Sequence, residues 1–197
     1  MVNFRNWFKI ERKTDDLENK NNKLKHIIRY TSSQINIMNK KLEVYRRTLK
    51  TKDKNNYIKL TDSIKNQDRK SAIYYSQQLV EIRKGLKIVT SSIIALESIS
   101  NRFDTKLTVE TTSTALIPVI QVVNHIKTNL INVLPNLDSD LTLISHGLMG
   151  IVNNDLANSN IHYVSLNDEA RNIVSEAMKK SEKRMVERLP PIPLITK

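Results

Sequence analysis

The stretch LKHIIRYTSSQINIMNKKLEVYRRTL, from Leu24 to Leu49, decides the fold. Its apolar residues recur at alternating steps of four and three, which is the spacing of a helix that faces one partner helix. The same alternation returns between Tyr75 and Leu107. Two such helices joined by a short polar segment predict a long antiparallel helical hairpin. The residues expected along its seam are Ile28, Ile35, Leu42, Leu49, Leu79, Ile82, Leu86, Val89, Ile93 and Leu96.

The boundaries of the hairpin follow from where this periodicity stops. We expect a first helix from about Asp15 to Lys50 and a second from about Tyr57 to Leu107. The segment KTKDKNNYIK, from Lys50 to Lys59, is polar and rich in asparagine, and we interpret it as the turn. Gly85 would then lie inside the second helix. It marks either a close approach of the backbone to a neighbour or a sequence change that the helix tolerates.

Shorter helices are predicted after the hairpin. The apolar, β-branched stretch from about Thr111 to Leu134 would permit a strand in part, but its context favours a helix with Pro118 near its first turns. Pro135 ends that unit. The candidate N-caps are Asn136 or Asp138 for a fourth helix reaching about Ala157, and Asn167 or Asp168 for a last helix.

The composition agrees with an all-α protein and excludes several kinds of chemistry. The 197 residues include only three glycines and no cysteine, so turns are few and neither disulfides nor thiolate metal sites are possible. No phosphate-binding loop, nucleophile elbow or metal-ligand spacing of histidines is present. We therefore predict no enzyme activity, no cofactor and no metal, and an extended helical assembly.

The formal net charge of +12 is unevenly distributed. Lysine and arginine outnumber the acidic residues by more than two to one in residues 1–70, whereas residues 101–170 are mildly acidic. A basic surface favours an anionic partner, which is either anionic lipid or nucleic acid, although a solvated helix face gives the same pattern.

The first thirteen residues, MVNFRNWFKIERK, form a short amphipathic segment. Its aromatic residues fall at i, i+3 and i+4, and basic residues supply the complement, which is typical of an interfacial membrane anchor. The aromatic stripe could equally pack on the chain's own helices. The candidate membrane-binding residues are Phe4, Arg5, Trp7, Phe8, Lys9, Arg12 and Lys13.

The last ten residues, RLPPIPLITK, contain three of the five prolines. No helix continues through them, because proline lacks the N–H group and clashes with the preceding turn. A proline-rich peptide is already extended and loses little entropy when it docks in a groove, so this tail is a candidate binding motif.

These segments together resemble the ESCRT-III (Snf7-like) family. The run RKSAIYYSQQLVEIRKGLKIVTSSIIALESISNRFDTKL, over residues 69–107, looks like the family's second helix, and NLINVLPNLDSDL, over residues 129–141, looks like the segment that leads into its fourth. The ending RLPPIPLI resembles the proline-rich type of MIT-interacting motif. The order of these segments is most similar to archaeal cell-division homologues of the CdvB type.

The resemblance implies a mechanism and a set of partners. Family members polymerise with themselves or with paralogues on anionic membrane, constrict or sever membrane necks, and are extracted by a AAA ATPase of the Vps4/CdvC type through its MIT domain. The chain would then be cytoplasmic, peripheral on the inner face of the cell membrane at the division site, with the seam residues also available for polymer contacts. The implied MIT-binding residues are Leu189, Pro190, Ile192, Pro193 and Leu194.

This interpretation divides the chain into an anchor (1–13), an ESCRT-III core (14–157, with the hairpin at about 15–107), a linker with the C-terminal helix (158–187) and the tail (188–197). Two alternatives remain. A basic helical nucleic-acid-binding protein would explain the charge, but no DNA- or RNA-binding motif accompanies it. A coiled-coil scaffold protein would explain the seams but not the two ends.

Overall fold

The computed structural model describes the backbone of residues 4–106, 112–155 and 167–193, with side chains for residues 22, 25–103, 116–150, 152 and 167–193. Within these ranges the chain is helical apart from short turns and contains no strand, which confirms the all-α prediction. The helices are α1 (Phe4–Lys65), α2 (Arg69–Lys106), α3 (Thr112–Leu130), α4 (Asp138–Asp155) and α5 (Asp168–Arg188), with a single 3-10 turn at Pro135–Leu137 before α4.

Helices α1 and α2 form the long antiparallel hairpin. The 62 residues of α1 correspond to a rod of about 90 Å at 1.5 Å per residue. Two side-chain contacts fix one register along it. The Arg83 Nε atom lies 2.7 Å from Asp53 Oδ1, and the Ser100 hydroxyl lies 3.5 Å from Asn36 Oδ1.

The predicted position of the hairpin turn was wrong. Residues 50–59 are helical, and α1 continues to Lys65 before α2 begins at Arg69. The segment stays helical despite its polar composition because Asp53 faces α2, where it is buried and paired with Arg83, and Leu60 is fully buried beyond it. Asparagine is a poor helix former by only a few tenths of a kcal/mol, about 0.7 at most, which such tertiary contacts outweigh.

The turn lies instead at residues 66–68. The Asp68 N–H donates to the Ser63 carbonyl at 2.9 Å and the Gln67 N–H to the Ile64 carbonyl at 3.1 Å, which is the Schellman pattern at a helix C-terminus. Gln67 has a φ of 58°, in the left-handed region where glycine is usual. No glycine or proline marks this turn in the sequence.

Asp68 also begins the second helix. Its Oδ1 atom accepts a hydrogen bond from the Ser71 N–H at 3.1 Å, the bond expected of an N-cap carboxylate. The side-chain and backbone hydrogen bonds from Ser71 lower the pKa of this carboxyl group below its usual value, although the residue is exposed. One residue thus closes α1 through its backbone and starts α2 through its side chain.

Helices α3, α4 and α5 fold back against the open half of the hairpin. One continuous core joins all five helices, with fully or nearly fully buried side chains from each: Leu42, Ile93, Ile120, Leu148 and Ile173 are examples. The connection into α4 differs from the prediction, because Asn136 donates to the Tyr45 hydroxyl and Asp138 lies 3.4 Å from Lys127 Nζ. Helix α4 itself begins at Asp138, directly after the 3-10 turn.

Helix α5 begins at Asp168, and its N-cap is Asn167, one of the two predicted candidates, whose Oδ1 accepts from the Ala170 N–H at 2.8 Å. The face that it buries is formed mostly of small residues: Ala170, Ile173, Ala177 and Ser181. The Ser181 hydroxyl donates to the Lys87 carbonyl at 3.1 Å, and ion pairs join Lys87 to Glu182 and Arg102 to Glu169. Small side chains allow α5 to approach the hairpin closely, so it packs as part of the core.

Gly85 does not mark a forced backbone approach. A Cβ atom added to this buried residue would lie 3.5 Å from Val133 and 3.7 Å from Leu49, which are ordinary van der Waals distances. The glycine is therefore tolerated rather than required.

Candidate functional site

The predicted seam residues lie between the helices of the hairpin and its partners. Seven of them are almost fully buried: Ile35, Leu42, Leu79, Leu86, Val89, Ile93 and Leu96. Ile28, Leu49 and Ile82 are partly buried. In this folded-back arrangement the seven buried side chains contribute to the core of the chain itself, so they are not accessible to a neighbouring molecule.

A different apolar surface faces outward on α1. Its members are Tyr30, Ile37, Val44 and Ile58, with exposed fractions of 51%, 44%, 60% and 47%. All four occupy one position of a seven-residue repeat, and the fifth member of that series is exposed Thr51. We call this surface the outer stripe. The sequence carried its signal, a strict spacing of seven residues, but the stronger buried seam on the same helix obscured it.

The tail returns to the closed end of the hairpin. Leu189 follows the last turn of α5, donating its N–H to the Met185 carbonyl at 2.9 Å, and the chain then becomes extended. Ile192 packs against a separate apolar group, here called the tip cluster, which consists of Leu60, Ala72 and Leu79 with Tyr57 and Tyr75 at its edge. Pro190 is exposed, Pro193 is partly buried, and Leu194 lies outside the described residues.

The side chains of the candidate anchor cannot be compared with the prediction. Phe4, Arg5, Trp7, Phe8, Lys9, Arg12 and Lys13 belong to the first turns of α1, whose backbone is helical, but their side chains lie outside the described part of the structure. The backbone of the anchor thus continues into the hairpin helix without a break.

One cavity, of about 120 Å³, lies between α2, α3 and α5. His125 lines it, and burial lowers the pKa of this imidazole, which is therefore neutral at pH 7. Asn129 Nδ2 lies 2.8 Å from His125 Nε2, and this nitrogen accepts a hydrogen bond in the tautomer that carries the proton on Nδ1. The remaining lining is largely aliphatic, and no group of three potential metal ligands occurs among the described residues. This histidine is a partly buried residue whose polar contact is to its own helix.

Two curated proteins of Sulfolobus acidocaldarius are similar to the chain. Cell division protein B1 is 33% identical over 172 residues, which cover 86% of this chain and 80% of that protein. Cell division protein B is 28% identical over 149 residues, covering 75% of this chain but only 57% of the relative.

The chain belongs to the CdvB-type ESCRT-III family.

This family membership confirms the resemblance recognised in the sequence and supports a role in archaeal cell division. The chain spans little more than half the length of the second relative, cell division protein B. No protein-family model matches the chain, and no solved structure matches it.

Candidate membrane spans are absent from the described helices of this CdvB-type protein. Within the described ranges, no helix combines the length and the apolarity needed to cross a bilayer. Among the described residues, the outer stripe and the basic residues of α1 are exposed, and the tail becomes extended after α5.

Proposed function

We propose that this chain is a non-enzymatic filament subunit that assembles on anionic membrane during archaeal cell division. The observation that carries this proposal is the outer stripe on α1. Large apolar side chains repeated every seven residues on an exposed helix face suit another long helix packed along it. A second copy of this chain, or a paralogue, supplies a helix of that length. The stripe is free while the chain is folded back, whereas the buried seam is not.

The charge of α1 supports the membrane as the anionic partner. Exposed basic residues follow the helix from Lys25 to Lys65, and the aromatic segment of residues 4–8 lies at its N-terminal end. Each basic residue near an anionic leaflet contributes about 1 kcal/mol of attraction. One chain would bind weakly, but a filament that presents many chains on one surface binds by avidity.

The tail is proposed to bind the MIT domain of a AAA ATPase, which would extract subunits from the filament. Ile192, one of the proposed anchors, contacts the tip cluster in the folded-back chain. The same apolar side chain cannot occupy the hairpin and an MIT groove together. Release of the tail from the tip cluster would therefore precede extraction by the ATPase.

The filament proposal is tested by negative-stain microscopy with vesicles that contain anionic lipid. Ile37→Asp combined with Val44→Asp should abolish filaments, because two charges then lie in the contact stripe. Ser33→Asp with Asn55→Asp is a matched control: it makes the same change in net charge at two exposed positions of the same helix, outside the stripe, and keeps every basic residue of the proposed membrane surface. Filaments formed equally by both double variants would rule out the stripe as the assembly surface.

The membrane proposal is tested separately by cosedimentation with the same vesicles. Trp7→Ser with Phe8→Ser should abolish binding at moderate salt, because the interfacial anchor is lost while the hairpin remains. Unchanged cosedimentation would refute the anchor. Steeply salt-dependent binding to DNA, together with indifference to vesicles, would favour the nucleic-acid alternative.

A further inference from the structure

Four basic side chains come together at one crevice, two from the middle of α1 and two from the end of α5. Arg46 and Lys50 are one helical turn apart on α1, and Arg184 and Arg188 are one turn apart on α5. All four line one crevice of about 20 Å³, which also borders Leu86 of α2. We call this group the cationic cluster. It combines residues that are more than 130 positions apart in the sequence, so it exists only when α5 is docked.

The cationic cluster has little acidic compensation. Arg46 forms an ion pair with Glu43 of its own helix at 2.7 Å, while its Nε atom is buried without a hydrogen-bond partner. Among the described residues, Lys50, Arg184 and Arg188 have no carboxylate within ion-pair distance. Four like charges converging on one crevice repel each other and oppose the docking of α5.

The electrostatic environment of Lys50 shows the same imbalance. Partial burial lowers the pKa of its ammonium group most, followed by the neighbouring guanidinium groups of Arg46 and Arg188. Arg184 lowers it further, and Glu43 alone opposes the shift. The site is therefore positive in sign and partly removed from water, a combination that strengthens the attraction of an anion.

We propose that the cationic cluster binds a multiply charged phosphate anion, which links α1 to α5. Guanidinium groups present paired N–H donors that match the oxygens of a phosphate, and an ammonium adds a point charge. A crevice of about 20 Å³ holds roughly one water molecule, so the anion lies across its mouth rather than inside it. At that position the long side chains of both helices reach it together.

Occupancy of this site regulates the attachment of α5. A bound anion offsets the repulsion between the two arginine-bearing helices and stabilises the folded-back chain, and loss of the anion weakens the same interface. The inference concerns the single chain in solution, so it does not depend on the proposed filament function.

The test is thermal unfolding of the full chain with inorganic tripolyphosphate, at constant ionic strength set by sodium chloride. Tripolyphosphate should raise the unfolding midpoint of the wild type in a saturable way. Arg184→Gln with Arg188→Gln should weaken the apparent affinity by at least about tenfold, because two phosphate contacts are lost. Lys179→Gln with Lys183→Gln makes the same charge change on the exposed face of α5 and should leave the affinity unchanged.

A second readout uses the same variants without the anion. At low ionic strength the Arg184/Arg188 variant should have a higher midpoint than the Lys179/Lys183 variant, because it removes repulsion within the cluster. A loss of tripolyphosphate affinity that is equal in both variants would show that only overall charge matters and would overturn the site. No saturable response of the wild type would overturn it as well.

The source of the phosphate is distinguished with vesicles that contain phosphatidylinositol phosphate. If tripolyphosphate displaces the wild type but not the Arg184/Arg188 variant from these vesicles, the site takes a lipid headgroup. If it raises the midpoint of the wild type in solution without affecting vesicle binding, the site takes a free anion. Both results support the proposal that the cationic cluster binds phosphate.

Discussion

Arg83 and Asp53 form a buried ion pair that joins α2 to α1, with Nε 2.7 Å from Oδ1 and only 15% and 3% of the two side chains exposed. A second guanidinium nitrogen, Arg83 Nη2, lies 3.5 Å from Asp53 Oδ2, so the contact is close to bidentate. Asp53 lies in the segment of residues 50–59, whose polar composition indicates a turn. The pair fixes the register of the hairpin, because a shift along α1 would leave both charges buried without a partner.

Breaking this pair should destabilise the chain strongly. Asp53→Asn is expected to lower the free energy of unfolding by about 3 kcal/mol, because it leaves the Arg83 charge buried and uncompensated. The measurement is urea unfolding followed by circular dichroism. Asp62→Asn is the control, since its ion pair with Lys65 spans 4.0 Å on an exposed surface and its loss should cost under about 0.5 kcal/mol. Equal effects of the two substitutions would contradict a structural role for the buried pair.

Gln67→Gly should stabilise the hairpin turn. Gln67 holds a φ of 58°, which costs a residue with a Cβ atom about 1 kcal/mol relative to glycine. We expect a gain of roughly 0.5 to 1 kcal/mol in the same unfolding assay, reduced by the greater freedom of glycine in the unfolded chain. The opposite sign is expected for Gln77→Gly, at an exposed position inside α2, which should lose about 1 kcal/mol. Destabilisation by both would refute the left-handed turn.

Asp68 should make stability depend on pH in the acid range. Its folded-state pKa is lowered by the hydrogen bonds from Ser71, so its contribution is present above the unfolded pKa and is lost as pH falls through the folded one. Asp68→Asn keeps an acceptor at the N-cap but does not titrate. From about pH 4 downward the wild type should lose more stability than the variant. Parallel pH profiles of the two urea midpoints would show that the cap does not discriminate between the ionised and neutral states.

Two substitutions should separate docking of the tail from recognition of the tail. Leu60→Ala removes a fully buried side chain of the tip cluster and leaves the tail sequence intact. The tail is then held less tightly, so the affinity of the chain for an MIT domain from the cognate ATPase should rise. Ile192→Asp frees the tail but destroys an anchor, so the affinity should fall. Isothermal calorimetry measures both, with circular dichroism to show that each variant is folded. A lower affinity for Leu60→Ala would mean that the tip cluster helps, rather than competes with, MIT binding.

The buried seam was predictable because it depends on local periodicity alone. Residues such as Ile35, Leu42 and Ile93 repeat at helical spacing, and each is almost fully buried. The turn was not predictable in the same way. Gln67 adopts a conformation that its residue type does not favour, and Asp53 stays in a helix because of Arg83, thirty residues further along.

The two candidate sites, the outer stripe and the cationic cluster, also differ in whether local sequence periodicity predicts them. The outer stripe could have been found from the seven-residue spacing of Tyr30, Ile37 and Val44. The cationic cluster could not, because Arg46 and Arg184 come together only when α5 folds back, and the face that docks α5 carries mostly alanine and serine. Such a face has too weak an apolar pattern to predict its partner.

The small residues on the buried face of α5 also bear on what happens when that helix detaches. Of the four side chains that it buries, only Ile173 is large, so α5 itself exposes little apolar surface when it undocks. Exposed apolar area is what makes partly unfolded proteins stick to one another without order. A released α5 would therefore add less to non-specific association of the opened subunit than a leucine-rich helix would, which favours repeated cycles of opening and closing.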